Sequence, residues 1–203
     1  MRVLLVAPPG AGKGTQAAKL AEHYGITNLS SGELLRREIA ADSEIGREAV
    51  EYVRRGDLVP DDLIFRVLAE PLIEAARNGG YVLDGFPRNL HQAEEAYRVA
   101  REMPSIELQA VVHLDVPLKE LTRRLLARSG REGRIDDTAS VVTHRLEVFE
   151  AETEPLLGFY RERGLVLDID GDQDPDRVFS DIVRDLDNER RGRSDGSVGS
   201  RAN

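Results

Sequence analysis

The chain has 203 residues, enough for one domain with a sizeable apolar core, and its 40% apolar and 32% charged residues are those of an ordinary globular domain. Its 28 Lys and Arg against 37 Asp and Glu give a net charge of −9, which opposes a broad electrostatic grip on DNA or RNA. The absence of cysteine excludes disulfides, a catalytic thiol and any Cys-ligated zinc or iron–sulfur site.

Val3-Leu4-Leu5-Val6 is a continuous apolar run, the pattern of a strand buried on both faces of a parallel sheet. It is far too short for a membrane span or a signal peptide, so a cytoplasmic protein with no membrane partner is expected. A Gly/Pro loop from Pro8 to Gly12 follows, then a helical pattern over Lys13 to Tyr24 with Ala17, Leu20 and Ala21 on one face. Residues 25–30 suit a short strand. Helices are predicted near 31–41, 44–55, 61–77, 89–101, 117–129, 138–162 and 175–188. Core strands are predicted at Tyr81-Val82-Leu83 before Asp84, at Ala110 to Leu114 before Asp115, and at Leu165 to Ile169. This alternation argues for an α/β fold with a five-stranded parallel sheet flanked by helices. Pro71 and Pro155 fall inside helical patterns and predict a kink or break. Asn188 to Asn203 hold one Val and one Ala, which predicts a disordered tail.

Pro9-Gly10-Ala11-Gly12-Lys13-Gly14-Thr15 joins the first strand to the first helix. Glycines let successive N–H groups approach oxygens closely, the helix N-terminus adds unpaired donors, and Lys13 adds a full charge. A bare Gly-rich turn is the plain alternative; the lysine in a strand–loop–helix context favours a phosphate cradle. The loop departs from the pattern G-x-x-x-x-G-K-S/T. Ala7 stands at the first glycine, and Gly14 follows the lysine, so the hydroxyl comes one residue later at Thr15.

Three further segments carry chemistry. Ser30-Ser31-Gly32-Glu33-Leu34-Leu35-Arg36 opens a helix that Ser30 or Ser31 can cap, with Glu33 favouring the helix start. Asp84-Gly85-Phe86-Pro87-Arg88 follows a strand, placing Asp84 at the rim where open α/β sheets bind ligands; Arg88 has the planar fork that fits a phosphate. Gln92, four residues beyond Arg88, shares its face if both are helical. Arg124 and Arg128 share a face near a helix end, and Arg134, Asp136, Asp137 and Arg145 follow a short Gly/Arg stretch. Alone, these arginines would be a solvated surface.

The Pro9 to Gln16 string, the Asp84 to Arg88 string, and the arginines that follow Asp115-Val116-Pro117 resemble the adenylate kinases and close nucleoside monophosphate kinases, over roughly residues 1–187. The resemblance implies a P-loop NTPase-like core (residues 1–29, 60–127 and 139–187), an acceptor-nucleotide arm at about 30–59 and a short lid at about 128–138, without the zinc that steadies longer lids. It implies reversible Mg²⁺-dependent phosphoryl transfer from ATP to AMP, giving two ADP. On the ATP side it places Gly10, Ala11, Gly12, Lys13, Gly14, Thr15, Arg124, Arg128 and Gln173. On the AMP side it places Ser31, Arg36, Asp57, Leu58, Val59, Gly85, Phe86, Pro87, Arg88 and Gln92, with Arg134 and Arg145. Lys13, Arg88, Arg124, Arg134 and Arg145 would carry catalysis, and Asp84 would hold Mg²⁺ through water, with no direct metal ligand. The family usually has Thr and Asp where this chain has Ser31 and Glu33, and often Lys at Asp57. Asn89 resembles the UMP/CMP kinases, which supply the alternative acceptor; an ATP-binding switch is the alternative class. A monomer is expected, with ATP, AMP and ADP as partners. His23, His91, His113 and His144 show no ligand spacing and are expected to be incidental.

Overall fold

The computed structural model describes residues 1–132 and 139–196, and the side chains of 1–125 and 141–192. The elements are β1 (Arg2–Val6), α1 (Lys13–Tyr24), β2 (Thr27–Ser30), α2 (Ser31–Ala40), α3 (Glu44–Arg55), α4 (Asp61–Arg77), β3 (Tyr81–Asp84), α5 (Leu90–Glu102), β4 (Ala110–Asp115), α6 (Leu118–Glu132), α7 (Ala139–Arg161), β5 (Val166–Asp170) and α8 (Pro175–Gly196). The five strands form one sheet in the order β2-β3-β1-β4-β5, and every pairing is parallel.

The unbroken apolar run of β1 is explained by its central place. Leu4 and Val6 join a cluster with Leu83, Val111, Leu156 and Tyr160, while Val3 and Leu5 join the opposite cluster with Leu20, Val112 and Ile182. Each such Leu or Val, taken fully out of water, contributes about 1.5–3 kcal/mol. The register then sets the site. Ser30 of β2 and Leu5 of β1 both lie level with Asp84 of β3, at the carboxyl ends of their strands.

Two expectations need correction. Pro71 and Pro155 do not break their helices: α4 and α7 run through them. Buried Leu68 and Ala75 anchor α4 on either side of Pro71, and Leu156, Leu157 and Tyr160 anchor α7 just past the exposed Pro155. Tertiary packing therefore outweighs the one lost helical hydrogen bond. The stretch predicted as a disordered tail from Asn188 continues α8 to Gly196. Val178, Ile182 and Leu186 seat α8 on the sheet, and Tyr24 Oη donates to Asp187 Oδ1 at 3.1 Å. Once a helix is nucleated, each added residue gains a backbone bond without needing an apolar side chain. Residues 197–203 lie outside the described part.

No helix among the described residues is long and apolar enough to cross a membrane. The α2–α3 pair is tightly joined. Ser43 caps α3 by accepting from Gly46 N at 2.9 Å, and a Cβ on buried Gly46 would collide with the Glu38 carbonyl. Gly46→Ala should therefore destabilise the fold by about 1–3 kcal/mol through overpacking. In a thermal melt this lowers Tm by about 2–12 °C for a chain of this size; an unchanged Tm would mean that the two helices part freely.

Candidate active site

The loop between β1 and α1 is built by two glycines with left-handed φ, Gly10 at +87° and Gly12 at +94°. Ala11 N donates to Pro8 O at 3.2 Å and closes the turn. Gly12 stands at the N-cap of α1 with no side-chain hydrogen bond, so the first turn keeps its N–H donors for an anion. A methyl group on Gly10 would sit 2.8 Å from Leu125 Cγ, which shows how closely α6 lies against this loop. Lys13 Nζ folds over the loop and donates to Ala7 O at 2.6 Å and Pro8 O at 3.2 Å.

Across the sheet edge, Ser30 caps α2 by accepting from Glu33 N at 3.4 Å, which resolves which serine is the cap. Ser31 is thereby released from capping. It is 1% exposed, and its Oγ has no hydrogen-bond partner. Asp84, level with the preceding Ser30 in the sheet, likewise has a buried Oδ1 with no hydrogen-bond partner among the described residues. Gly85 has φ +83° and brings its backbone against Ser31, and Arg88 Nε donates to Gly85 O at 2.8 Å.

Of these groups Ala7, Lys13, Gly85 and Arg88 line two joined clefts, whereas Ser31 and Asp84 line neither. The first has Ala7, Pro9 and Lys13 on one wall and Val148 and Phe149 on the other. The second has Gly32, Arg36, Val59, Ile64 and Gln92. Gly56, Leu58, Gly85, Arg88 and Arg145 line both. Arg145 also packs on the acceptor arm, its Cγ lying 2.9 Å from where a Gly56 Cβ would stand.

Several residues stand elsewhere than predicted. Arg88 and Gln92 do not share a helix face, because α5 starts at Leu90 behind the N-cap Asn89 and Arg88 lies outside it. Instead Asn89 Oδ1 accepts from Gln92 N and Gln92 Oε1 accepts from Arg88 N, both at 2.8 Å, in the manner of a capping box. Phe86 reaches neither cleft; it is buried edge-on to Phe65, 5.3 Å between centroids. Arg124 lies beside the loop after β5, donating to Glu120 Oε1 at 2.6 Å, Gly171 O at 3.3 Å and Asp172 Oδ1 at 3.4 Å. Gln173 Nε2 is tied to Asp170 O at 2.9 Å and Asp181 Oδ2 at 3.3 Å. Asp57 points at His144 Nε2 and Arg55 Nε, both 2.8 Å away, and the His144 hydrogen bond chiefly holds its carboxyl below the usual range. Arg134 and most of the predicted lid lie outside the described residues, as does the Arg128 side chain.

Sequence reasoning passed over three residues. His144 bridges α7 to the acceptor arm through Asp57. Glu120, whose carboxyl is pulled down to about 2 by Arg123 and then Arg124, fixes Arg124 beside the loop after β5. Asp61 holds Gln92 (Nε2 to Oδ1, 2.7 Å) and His91 (Nδ1 to Oδ2, 2.8 Å). The Asn89-x-x-Gln92 spacing was a legible cap signal; pairs made across 31 or 87 residues leave no local pattern.

Among the described residues no group of three or more His, Asp or Glu could hold a metal ion by itself. The unpartnered Asp84 oxygen beside the phosphate loop is a lone hard acceptor, which fits a hydrated Mg²⁺ that arrives bound to a nucleotide.

Comparison with known proteins agrees with this geometry. A family model described as adenylate kinase matches residues 5–165. The chain is 40% identical to an adenylate kinase of Kocuria rhizophila over 92% of its own length and 98% of that protein's. It is 44% identical to one of Thermus thermophilus over 89% and 94% of the two lengths. For one of Leptospira biflexa the identity is 38%, over 91% and 99%.

At Gly85 a methyl group would stand 2.5 Å from Ser31 Oγ on a backbone that side chains adopt only with strain. Gly85→Ala should therefore weaken AMP binding at least about tenfold, the equivalent of ~1.4 kcal/mol, and weaken ATP binding less. Calorimetric titration with each nucleotide measures this; equal losses for both would detach Gly85 from the second cleft.

Proposed function

The chain belongs to the adenylate kinase family, and from that premise we propose that it moves the terminal phosphoryl group of ATP to AMP across the junction of its two clefts. The observation that carries this reading is the sharing of Arg88 and Arg145 by a cleft that holds Ala7, Pro9 and Lys13 of the phosphate loop and a cleft that holds Gly32, Arg36 and Gln92. A donor phosphate in the first and an acceptor phosphate in the second would meet at those two guanidinium groups.

The chemistry asks little covalent help from the protein. An oxygen of the AMP phosphate attacks the γ-phosphorus of ATP, the bond to the β–γ bridging oxygen breaks, and ADP leaves from each side. The nucleophile is already an anion, so no general base is needed. Lys13, Arg88 and Arg145, with Arg134 from the lid, supply positive charge for the oxygens of the transferring group, whose charge spreads in the transition state. Mg²⁺ entering with ATP would neutralise β- and γ-oxygens, and Asp84 is placed to accept from its water. Ser31 and Arg36 would receive the acceptor phosphate. Gln173, held by its side chain, would meet the adenine of ATP through its backbone, and Arg124 and Arg128 would border that nucleotide. The main chains of Asp57, Leu58 and Val59 would contour the AMP pocket, while Pro87 lines the first cleft and Phe86 lines neither. Water is the competing acceptor, and closure of the arm (about 30–59) and the lid (about 128–138) would exclude it. The family's nucleotides, ATP, AMP and ADP, are its proposed partners, and a cytoplasmic monomer is the proposed working form.

The UMP/CMP alternative loses its main support. Asn89, the residue that suggested it, is engaged as the N-cap of α5. A switch that only binds ATP would not need the second cleft.

A coupled assay supplying ATP with AMP, CMP, UMP or no acceptor separates the three readings. AMP should exceed CMP and UMP in kcat/KM by at least about tenfold, the scale of one well-placed hydrogen bond, with little ADP formed without acceptor. Equal turnover with UMP or CMP would reassign the acceptor. Lys13→Met should keep the circular dichroism spectrum and lose ~10²–10³ in kcat or more; a folded, active variant would overturn the phosphate-loop assignment.

A further inference from the structure

We propose that Asp61 is the positioning residue that fixes the side-chain amide of Gln92 in the single orientation that selects a 6-amino purine over a 6-oxo one in the acceptor cleft. The inference rests on Gln92 as the base-reading residue of that cleft and adds what makes its reading one-sided.

A glutamine amide has nearly the same shape when flipped, so on its own it can offer donor and acceptor in either order. An adenine edge presents N1 as acceptor and the 6-amino group as donor. A hypoxanthine edge has the same ring size and presents N1–H as donor and O6 as acceptor. A freely flipping amide suits both. Selection therefore needs the flip to be blocked.

The structure blocks it from two sides. Gln92 is 2% exposed, so its amide depends on protein partners. Arg88 N–H lies 2.8 Å from Gln92 Oε1, and an N–H can only donate. Asp61 Oδ1 lies 2.7 Å from Gln92 Nε2, and a carboxylate can only accept. Flipping the amide would set N–H against N–H and oxygen against oxygen, leaving two buried groups unpaired. The other oxygen, Asp61 Oδ2, is taken by His91 Nδ1 at 2.8 Å, which keeps the carboxylate turned so that Oδ1 faces Gln92. Asp61 itself sits in the first turn of α4, where the helix end favours its negative charge. After these contacts Gln92 retains one N–H and one lone pair, in a fixed order, on the wall of the second cleft. No rotamer freedom remains to be lost when a base binds.

A merely structural Asp61 would stabilise the start of α4 without touching base choice. The test is therefore the ratio of kcat/KM for AMP to that for inosine monophosphate, at saturating ATP, in wild type, Gln92→Ala, Asp61→Leu, Asp61→Asn and the Asp61→Leu/Gln92→Ala double variant. Gln92→Ala should lower the ratio at least about tenfold. Asp61→Leu should lower it at least about fivefold, with the loss for AMP falling on KM more than on kcat. Asp61→Asn keeps an oxygen for Nε2 and should hold the ratio within about twofold of wild type. The double variant should be no less selective than Gln92→Ala alone, because Asp61 acts through Gln92. Should Asp61→Leu fail to fold, Asp61→Ala carries the same comparison. An unchanged ratio in the Asp61 variants beside a collapsed one in Gln92→Ala, or losses that add in the double variant, would overturn the inference and leave Gln92 as the base reader. An unchanged ratio in Gln92→Ala would instead overturn the reading of the cleft on which the inference rests.

Discussion

Four cationic side chains, Lys13, Arg36, Arg88 and Arg145, line two clefts that share a wall, and the positive charge they gather at one junction is what the site offers an anion. Lys13 rests on the carbonyls of Ala7 and Pro8, and Arg88 Nε rests on the carbonyl of Gly85. A carbonyl carries only a partial charge, whereas hydrogen bonds between ionised partners are roughly twice as strong as neutral ones. A phosphate oxygen that enters either cleft would thus bind these cations more strongly than a carbonyl does. Glu120 grips Arg123 and Arg124 on α6, where Arg124 also bridges to Gly171 and Asp172.

That arrangement depends on the sheet. β1 is central and buried on both faces, so its carboxyl end, and the loop that follows, cannot shift without disturbing both halves of the core. The parallel register puts Ser30, Asp84 and Leu5 at one level, so the residues just past Asp84 and Leu5, Gly85 and Val6, reach the first cleft together. Glycines then set the approach distances. Gly10 lets α6 close on the loop after β1, and Gly85 lets the β3 end close on Ser31. Added side chains at either place would push these segments apart.

The parts of this design that were legible in the sequence are those written in local pattern. The β1 run, the glycine loop with Lys13, the serine before Glu33 and the Asp84 to Arg88 string each combine residue type with fixed spacing, and the strands and helices fall within a few residues of the expected places. What was hidden is mostly long-range. Nothing near Asp61 announces Gln92, and nothing near Asp57 announces His144; each pair is made by the packing of helices far apart in the chain. The remaining misjudgements overvalued composition or propensity against packing. Pro71 and Pro155 are tolerated because their helices are pinned by buried neighbours, and the polar end of α8 stays helical because its earlier turns are already seated.

The buried polar atoms left without partners complete the argument. Gln16 Oε1, Ser31 Oγ and Asp84 Oδ1 are such atoms among the described residues, and a buried group of this kind typically costs ~1–3 kcal/mol. Gln16 has an evident structural duty, since its Nε2 donates to Pro175 O at 2.9 Å and ties the phosphate-loop helix to the start of α8. Ser31 and Asp84 have no such bond among the described residues, and both adjoin Gly85, which lines both clefts. A fold selected only for stability would have paired them or replaced them with apolar groups. Their retention is understandable if a nucleotide phosphate and a hydrated cation complete them, since ligand binding then recovers free energy that folding alone leaves unspent, and the occupied protein is the more stable one.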